Sequence, residues 1–143
     1  MEDPALLERL RTAAARVLPG HSILAAYAFG SRVSGRAGPE SDLNVGYYLE
    51  GYQAGATLRV AEEMTLAADL EDEVGVRIDL RDLGDAPLEL RGRVLEDGVR
   101  IYSGDPARRV ALERALLSRY HDYKHEYRLM HEARLRRVAA RGV

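Results

Sequence analysis

The chain has 143 residues, a length that supports one hydrophobic core and not two independent ones. Hydrophobic residues make up 46% and charged residues 31% of the chain, which is ordinary for a folded protein and argues against intrinsic disorder. Because the chain contains no cysteine, it has no disulfide framework, no thiolate zinc site and no cysteine nucleophile. The longest apolar run is too short for a membrane span and the acidic N-terminus is no secretory signal, so we predict a cytoplasmic protein without membrane association.

The net charge of −2 conceals an asymmetry between two parts of the chain. Residues 1–105 carry 11 basic and 19 acidic side chains, a net charge of −8. Residues 106–143 carry 10 basic and 4 acidic side chains, a net charge of +6. A basic segment on an acidic body indicates a surface for a partner or for a self-complementary homodimer.

Helices and strands alternate along the chain. Apolar spacing, capping residues and Gly or Pro breaks predict helices over residues 3–18, 56–72, 87–95 and 106–140. The last of these is one long helix or two, with Asp105 as its N-cap. Short apolar runs predict strands over residues 22–29, 43–49, 76–80 and 99–102. This alternation predicts the α/β or α+β fold class.

Two of the predicted helices carry an apolar face. On the helix over residues 56–72 we expect an inward face and a solvated acidic face, formed respectively by Leu58, Ala61, Met64 and Ala68 and by Glu62, Glu63 and Asp69. On the last helix an apolar and aromatic seam recurs at steps of three and four residues, at Leu112, Leu116, Tyr120, Tyr123, Tyr127 and Met130. We expect the seam to pack on the chain's own domain and to leave an arginine-rich outer face for a partner. Direct nucleic-acid binding is not expected, because an isolated arginine-rich helix is usually a solvated face.

A Gly-Ser pair ends the first predicted strand, at Gly30 and Ser31. Backbone N–H groups at a strand-to-helix junction are unpaired and point outward, which makes a ready anion site. Gly30 lets a phosphate approach the backbone closely, and Ser31 adds a hydroxyl group. The pair therefore indicates a phosphate-binding turn.

Polar side chains occupy one face of each of the next two predicted strands. Asp42 and Asn44 follow the Gly-Ser pair after ten residues, and residues two apart in a strand face the same side. Asp79 lies in the same way on the third strand, with Arg77 on its face. Mg²⁺ prefers a few carboxylates together with phosphate oxygens, so these residues beside the turn predict a nucleotide and magnesium site.

This pattern resembles the minimal nucleotidyltransferases, or MNT proteins, of the DNA polymerase beta superfamily. Their signature is Gly-Ser, ten residues, then Asp-x-Asp, with a third Asp on a later strand, and it is matched at Gly30, Ser31, Asp42 and Asp79. Four further stretches resemble the antitoxin branch that pairs with HEPN toxins, namely residues 79–83, 86–88, 98–102 and 117–124.

The resemblance implies a fold and a domain division. The fold is the nucleotidyltransferase fold, a small mixed sheet of about four strands flanked by helices and followed by a long C-terminal helix. Residues 1–104 would form the nucleotidyltransferase core, and residues 105–143 a helical extension of the same domain.

The resemblance also implies a set of nucleotide-binding residues for ATP. Gly30 and Ser31 would hold the β- and γ-phosphates. Arginine side chains near the turn would stabilise phosphate charge, since the guanidinium group matches phosphate geometry. The full nucleotide-binding set is Gly30, Ser31, Arg32, Arg36 and Ser41.

Three residues carry the implied metal and catalytic roles. Asp42, with weaker help from Asn44, would hold Mg²⁺. Asp79 would bind the catalytic metal or take the proton from the attacking hydroxyl. Asn44 departs from the family pattern, which has a second carboxylate there, and the loss of its charge weakens the metal site.

The function implied is that of an adenylyltransferase antitoxin, which transfers AMP from ATP to a tyrosine of a HEPN toxin. Because of Asn44, a second interpretation stays open, in which a weakened or inactive nucleotide-binding antitoxin neutralises its partner by binding. A third is a small-molecule nucleotidyltransferase. Those enzymes usually carry a second substrate-binding domain, for which residues 106–143 are too few.

Overall fold

The computed structural model describes residues 3–30, 33 and 42–141 of the chain. Its helices and strands follow in the order α1 (Pro4–Val17), β1 (Ile23–Phe29), β2 (Leu43–Leu49), a 3₁₀ turn (Tyr52–Ala54), α2 (Val60–Val74), β3 (Ile78–Asp82), α3 (Leu88–Asp97), β4 (Val99–Ser103) and α4 (Pro106–Ala140). None of the helices within these ranges has an apolar stretch that could cross a bilayer.

The four strands form one mixed sheet in the order β3-β2-β1-β4. Strand β1 is antiparallel to both β2 and β4, whereas β2 and β3 are parallel. A parallel pair needs a crossover connection, and α2 supplies it between β2 and β3. The predicted small mixed sheet with flanking helices is therefore confirmed.

The core has two layers, one on each face of the sheet. On one face α1 and α2 pack on the sheet, with Leu10, Val45 and Leu66 fully buried. On the other face α3 and α4 cover a second cluster that includes Tyr48 and Leu83. Alternate residues of β2 thus belong to different layers, as the period of two in a strand requires.

Two aspartates cap the helices that begin after a loop. The Asp3 carboxylate accepts a hydrogen bond from the Leu6 N–H at 3.0 Å, and Pro4 occupies the first turn of α1. Asp105 does the same for α4, accepting from the Arg108 N–H at 3.2 Å. The predicted N-cap of the last helix is confirmed, and of the two alternatives left open by the sequence, one long helix or two, the structure has one.

The predicted apolar face of α2 is wrong. The helix begins at Val60 rather than at residue 56, and its buried side chains are Leu66, Leu70 and Val74. Three of the four residues expected inside are exposed, Ala61, Met64 and Ala68, with Met64 67% exposed. Leu58 precedes the helix and packs against the core only partly.

The reason is that two glutamates of α2 have partners in the fold. His21 Nδ1 lies 2.7 Å from Glu62 Oε2, and the Tyr47 hydroxyl donates a hydrogen bond to Glu63. Both carboxylates are partly buried, because partners from other elements satisfy them. The helix is therefore oriented so that Glu62 faces the α1–β1 loop and Glu63 faces β2.

The apolar seam of α4 packs on the domain only in its first half. Leu112, Leu116 and Tyr120 are buried, and Tyr120 packs so closely on Gly92 of α3 that a Cβ there would lie 2.1 Å from the ring. The rest of the seam is exposed, at 36% for Tyr123, 61% for Tyr127 and 71% for Met130. The expectation that the whole seam packs on its own domain is therefore wrong, and the C-terminal turns of α4 stand away from the core.

Candidate active site

The turn after β1 brings the backbone into a left-handed conformation at Gly30, where φ is +93°. Glycine adopts this conformation without the cost that a Cβ imposes. The Val33 N–H donates to the Gly30 carbonyl oxygen at 3.1 Å, and the Val33 side chain returns to the core. Among the predicted nucleotide-binding residues, Gly30 is described, whereas the remaining four lie outside the described residues: Ser31, Arg32, Arg36 and Ser41.

A row of three residues crosses the sheet beside this turn. Asn44 of β2 is the register partner of Phe29 in β1 and of Asp79 in β3. Side chains of register partners emerge on the same face of a sheet. Asp42 stands two residues before Asn44 and faces the same side. The structure thus brings Asp42, Asn44 and Asp79 together at one end of β2 and β3, and their roles stay predictions.

The Asn44 side chain packs directly on the turn. A Cβ built on Gly30 would lie 2.5 Å from Asn44 Nδ2, closer than any real contact. Gly30 is therefore required twice, for its backbone conformation and for the room it leaves to the amide. Sequence reasoning missed this dependence between residues 30 and 44.

Arg77, the residue that precedes β3, lies beside the carboxylate of Asp42. The Arg77 Nε lies 3.9 Å from Asp42 Oδ1, with the two side chains 85% and 50% exposed. An ion pair that long and that exposed contributes little to stability. Arg77 therefore leaves Asp42 available to a stronger ligand and adds a mobile positive charge beside it.

Sequence reasoning also missed a second arginine on the same face. Arg81 is exposed and pairs in register with Gly46, one row along from Asn44 and Asp79. It stands two residues after Asp79, so the period of two in a strand was sufficient to find it. Two guanidinium groups thus flank Asp79 in the chain, one from Arg77 immediately before β3 and one from Arg81 on β3.

The oxygen donors of this row suit a hard cation such as Mg²⁺. In the described part of the chain no three His, Asp or Glu residues cluster as a metal site. The row offers instead two carboxylates, from Asp42 and Asp79, and the amide oxygen of Asn44. Mg²⁺ is bound through one or two carboxylates plus phosphate oxygens, so the donor set fits one ion held jointly with a phosphate.

The comparisons with known proteins agree with this geometry. Residues 14–107 match the family model "Polymerase beta, Nucleotidyltransferase". No curated protein is significantly similar to the chain in sequence.

Solved toxin–antitoxin structures share the fold over nearly the whole chain. One, a toxin–antitoxin with AMP-PNP, is 17% identical with a TM-score of 0.60, over 92% of this chain and 97% of the other. A second is the tri-AMPylated Shewanella oneidensis HEPN toxin in complex with MNT antitoxin, 18% identical with a TM-score of 0.59 over the same shares of the two chains. A third, MntA–HepT, is 15% identical with a TM-score of 0.57, over 95% of this chain and 98% of the other. The predicted nucleotidyltransferase fold is confirmed.

Proposed function

The chain belongs to the polymerase beta nucleotidyltransferase family, and from that premise we propose that it is a magnesium-dependent adenylyltransferase acting as the antitoxin of a HEPN-type toxin. Its substrates are ATP and a tyrosine hydroxyl of the toxin. The observation that carries the proposal is the row of Asp42, Asn44 and Asp79 beside the Gly30 turn.

Each part of the row has a task in nucleotidyl transfer. Gly30 and Ser31 would receive the β- and γ-phosphates, as the family signature implies, and the left-handed backbone at Gly30 supports this assignment. Asp42, immediately before β2, and Asn44 on β2 would hold Mg²⁺ together with Asp79 on β3. The bound ion supplies Lewis-acid stabilisation of the charge that develops on the phosphate oxygens.

The reaction is an in-line displacement at the α-phosphorus of ATP. The acceptor oxygen forms a bond to that phosphorus, and the bond to the β-phosphate oxygen breaks, so pyrophosphate leaves and AMP stays on the acceptor. We assign to Asp79 the removal of the hydroxyl proton, and its exposure at the edge of the row supports this role. Arg32 and Arg36 would stabilise the phosphate charge, because the guanidinium group matches phosphate geometry.

The acceptor and the partner are proposed from the structural neighbours. One neighbouring structure contains an AMPylated HEPN toxin with its MNT antitoxin, and another contains AMP-PNP. The fold covers nearly the full length of both chains, so the same complex is the natural partner class for this chain. Nucleotide and toxin together account for both the polar row and the basic C-terminal segment.

The direct test is AMP transfer to a purified HEPN toxin in the presence of ATP and Mg²⁺, followed by intact-mass spectrometry of the toxin. We expect a mass increase of one or more AMP groups with the wild-type chain. Asp79→Asn should lower the transfer rate by about 100-fold or more, because it removes a charge from the metal site. Asp69→Asn is the matched control, since Asp69 lies exposed on α2, which packs on the opposite face of the sheet. Equal rates in both variants would contradict the proposed role of Asp79.

A second candidate function is neutralisation by binding alone, and two observations favour it. Asn44 replaces a carboxylate of the metal site with a neutral amide. The C-terminal turns of α4 expose Tyr127, Leu129 and Met130, and they belong to the basic segment, residues 106–143, whose net charge is +6. An exposed apolar stripe flanked by charge is typical of a protein interface.

Asn44→Asp distinguishes AMP transfer from neutralisation by binding alone, because it changes the metal site. If the chain is an enzyme, the added carboxylate should tighten Mg²⁺ binding in the presence of ATP by about tenfold or more and raise the transfer rate. Titration calorimetry and the transfer assay measure the two effects. A variant that binds Mg²⁺ more tightly but transfers no AMP, beside an inactive wild type, would favour binding alone.

Truncation of α4 after Lys124 also distinguishes the enzymatic function from neutralisation by binding alone. Residues beyond this point are almost all exposed, so the shortened chain should keep its fold and thermal stability. Binding alone predicts that the truncated chain no longer neutralises the toxin, whereas Asp42→Ala still does. Loss of neutralisation by Asp42→Ala, with the toxin complex intact, would exclude binding alone.

A further inference from the structure

A second polar cavity lies at the opposite end of β2 from the Asp42 row. It has a volume of about 290 Å³ and lies between the end of β2, the 3₁₀ turn and the helices α3 and α4. Its polar lining comes from Tyr48, Tyr52, Gln53, Arg91 and Arg119. Tyr48 is four residues after Asn44, which at the rise of an extended strand puts roughly 13 Å between their Cα atoms. The cavity is therefore distinct from the proposed nucleotide site.

Two buried polar atoms at this cavity have no partner. The Tyr48 hydroxyl and the Arg91 Nε are both inaccessible to solvent, and neither has a hydrogen-bond partner among the described residues. Tyr48 is 1% exposed as a whole. Buried polar atoms are almost always hydrogen-bonded, because an unmade hydrogen bond costs the full desolvation of the group. Both atoms belong to residues that line the same cavity, which makes a ligand there a candidate for the partner that they lack.

The charge of the lining is positive. Arg91 and Arg119 contribute two guanidinium groups, and none of the described residues that line the cavity carries a carboxylate. Neither arginine forms an ion pair with any acidic residue that the structure describes. The positive charge of the two guanidinium groups therefore disfavours a cation in the cavity and favours an oxyanion.

The nearest acidic groups are already engaged elsewhere. The Glu113 carboxylate accepts hydrogen bonds from the Tyr27 hydroxyl at 2.8 Å and from Arg109 at 2.6 Å. The Asp82 carboxylate accepts from the Gly84 N–H at 2.8 Å. Burial also raises the pKa of the Tyr48 hydroxyl, although the charge of Arg91 opposes that change. Tyr48 thus stays a neutral hydrogen-bond donor at physiological pH.

We propose that this cavity binds a phosphate-type oxyanion, held by the guanidinium groups of Arg91 and Arg119 and by the Tyr48 hydroxyl. A planar guanidinium fork donates two parallel hydrogen bonds to such an anion, and the phenol adds a third donor. The volume is near the lower limit of ligand pockets and suits a phosphate or a small phosphorylated group rather than a whole nucleotide. The inference does not depend on the proposed function.

Binding should stabilise the fold, because the three donors come from different elements. Tyr48 belongs to β2, Arg91 to α3 and Arg119 to α4. An anion that contacts all three joins the first half of α4 to the sheet. A ligand that binds only the folded state raises the unfolding temperature in proportion to its binding free energy.

The experiment is thermal unfolding of the full chain in inorganic phosphate, with chloride at the same ionic strength as the reference. The wild type should gain about 3 °C at a phosphate concentration of about ten times Kd. Tyr48→Phe removes one oxygen atom, and Arg91→Met removes the charge; each should lose most of this gain. Arg93→Met is the matched control on the same helix, since Arg93 is exposed and pairs with Glu89, and it should keep the gain.

Three results would overturn the inference. The first is a wild type that gains no more from phosphate than from chloride. The second is an equal gain in Tyr48→Phe and Arg91→Met, which would locate the phosphate elsewhere, for example at the Gly30 turn. The third is an equal gain from acetate, which would assign the cavity to carboxylates. Loss of AMP transfer in the Asp79 variant is unaffected by any of these outcomes, so the two proposals fail separately.

Discussion

The two ends of strand β2 hold polar side chains in opposite surroundings. At its beginning, Asp42 is half exposed and its ion pair with Arg77 is long. At its end, Tyr47 and Tyr48 are each 1% exposed and lie on opposite faces of the sheet. The exposed groups have no strong partner within the described protein and are free to bind a ligand, whereas the buried groups need partners for the fold itself.

The two tyrosines at the buried end of β2 differ in whether their hydroxyl groups have a hydrogen-bond partner. Tyr47 donates to Glu63 of α2, but Tyr48 has no partner among the described residues. Residue type is the same at both positions. The position of each tyrosine in the fold, and not its chemistry, therefore decides whether its hydroxyl bonds within the protein or is available to a ligand.

High pH should lower the free energy of unfolding through the buried tyrosines, and this is the largest effect that we expect. Burial raises the pKa of Tyr27, Tyr47 and Tyr48, and the carboxylates of Glu113 and Glu63 raise the first two further. Above pH 10 the unfolded chain loses these protons while the folded chain keeps them, so stability is unchanged below about pH 9 and falls as the pH rises further. At pH 11 the loss should be about 4 kcal/mol, or about 1.4 kcal/mol for each tyrosine.

Urea unfolding between pH 8 and pH 11 measures this loss. Tyr48→Phe should remove about a third of it, because one of three titrating groups is gone. A free energy of unfolding that stays constant up to pH 11 would show that the three hydroxyls are not buried as the structure has them.

Gly30→Ala should destabilise the protein at the exposed beginning of β2. A Cβ at Gly30 meets Asn44 Nδ2 at 2.5 Å and imposes strain at φ +93°. Gly20→Ala is the matched control, because Gly20 has a similar φ of +87° and nothing within 4 Å of its Cβ position. We expect a loss of about 3 kcal/mol for Gly30→Ala and about 1.5 kcal/mol for Gly20→Ala, measured by urea unfolding.

The double variant Gly30→Ala with Asn44→Ala identifies the contact. If the Asn44 amide causes the extra loss, the double variant should recover most of the difference between the two alanine variants. AMP transfer should fall in Gly30→Ala and not in Gly20→Ala, since only the first displaces the polar row. Equal losses of stability at both glycines would mean that the amide moves aside without cost.

Local features of the fold were predictable from the sequence. The bounds of β2 agree with those predicted, and the caps Asp3 and Asp105 were recognisable because a cap and its helix are neighbours in the chain. The common face of Asp42 and Asn44 follows from the period of two alone. These features depend on interactions within a few residues.

Features that depend on distant partners were not predictable. Glu62 and Glu63 looked like a solvated face of α2, but their partners His21 and Tyr47 lie 41 and 16 residues away in the chain. The same limit applies to the contact of Asn44 with Gly30. Periodicity shows which residues share a helix face, and it does not show whether another element covers that face.

The seam of α4 illustrates this limit most simply. Its spacing is regular from Leu112 to Met130, yet burial ends near Tyr120. The domain stops there and the helix continues. A regular pattern beyond the domain has another use, and in the proposed function that use is contact with the toxin.

Gly46→Ala tests the middle of β2, between the two ends. Its Cβ would lie 2.6 Å from Leu83 Cδ1, and Leu83 is fully buried, so its side chain has no free space to enter. We expect a loss of about 2 kcal/mol from overpacking, measured by urea unfolding. Combining Gly46→Ala with Leu83→Ala should give a smaller loss than the sum of the single variants. Additive losses would mean that the two side chains do not compete for the same space.

The smallest changes in stability are expected for Tyr47→Phe and Tyr48→Phe, which compare a partnered and an unpartnered hydroxyl directly. Tyr47→Phe leaves the Glu63 carboxylate without its donor, so we expect a loss of about 1 kcal/mol. Tyr48→Phe removes a hydroxyl with no partner among the described residues, so in phosphate-free buffer the free energy of unfolding should change by less than about 0.5 kcal/mol. The two variants share one chemical change on adjacent residues, and urea unfolding compares them directly. A larger loss for Tyr48 than for Tyr47 would mean that the Tyr48 hydroxyl has a permanent partner, and the cavity beside it would then be occupied in the folded protein at all times.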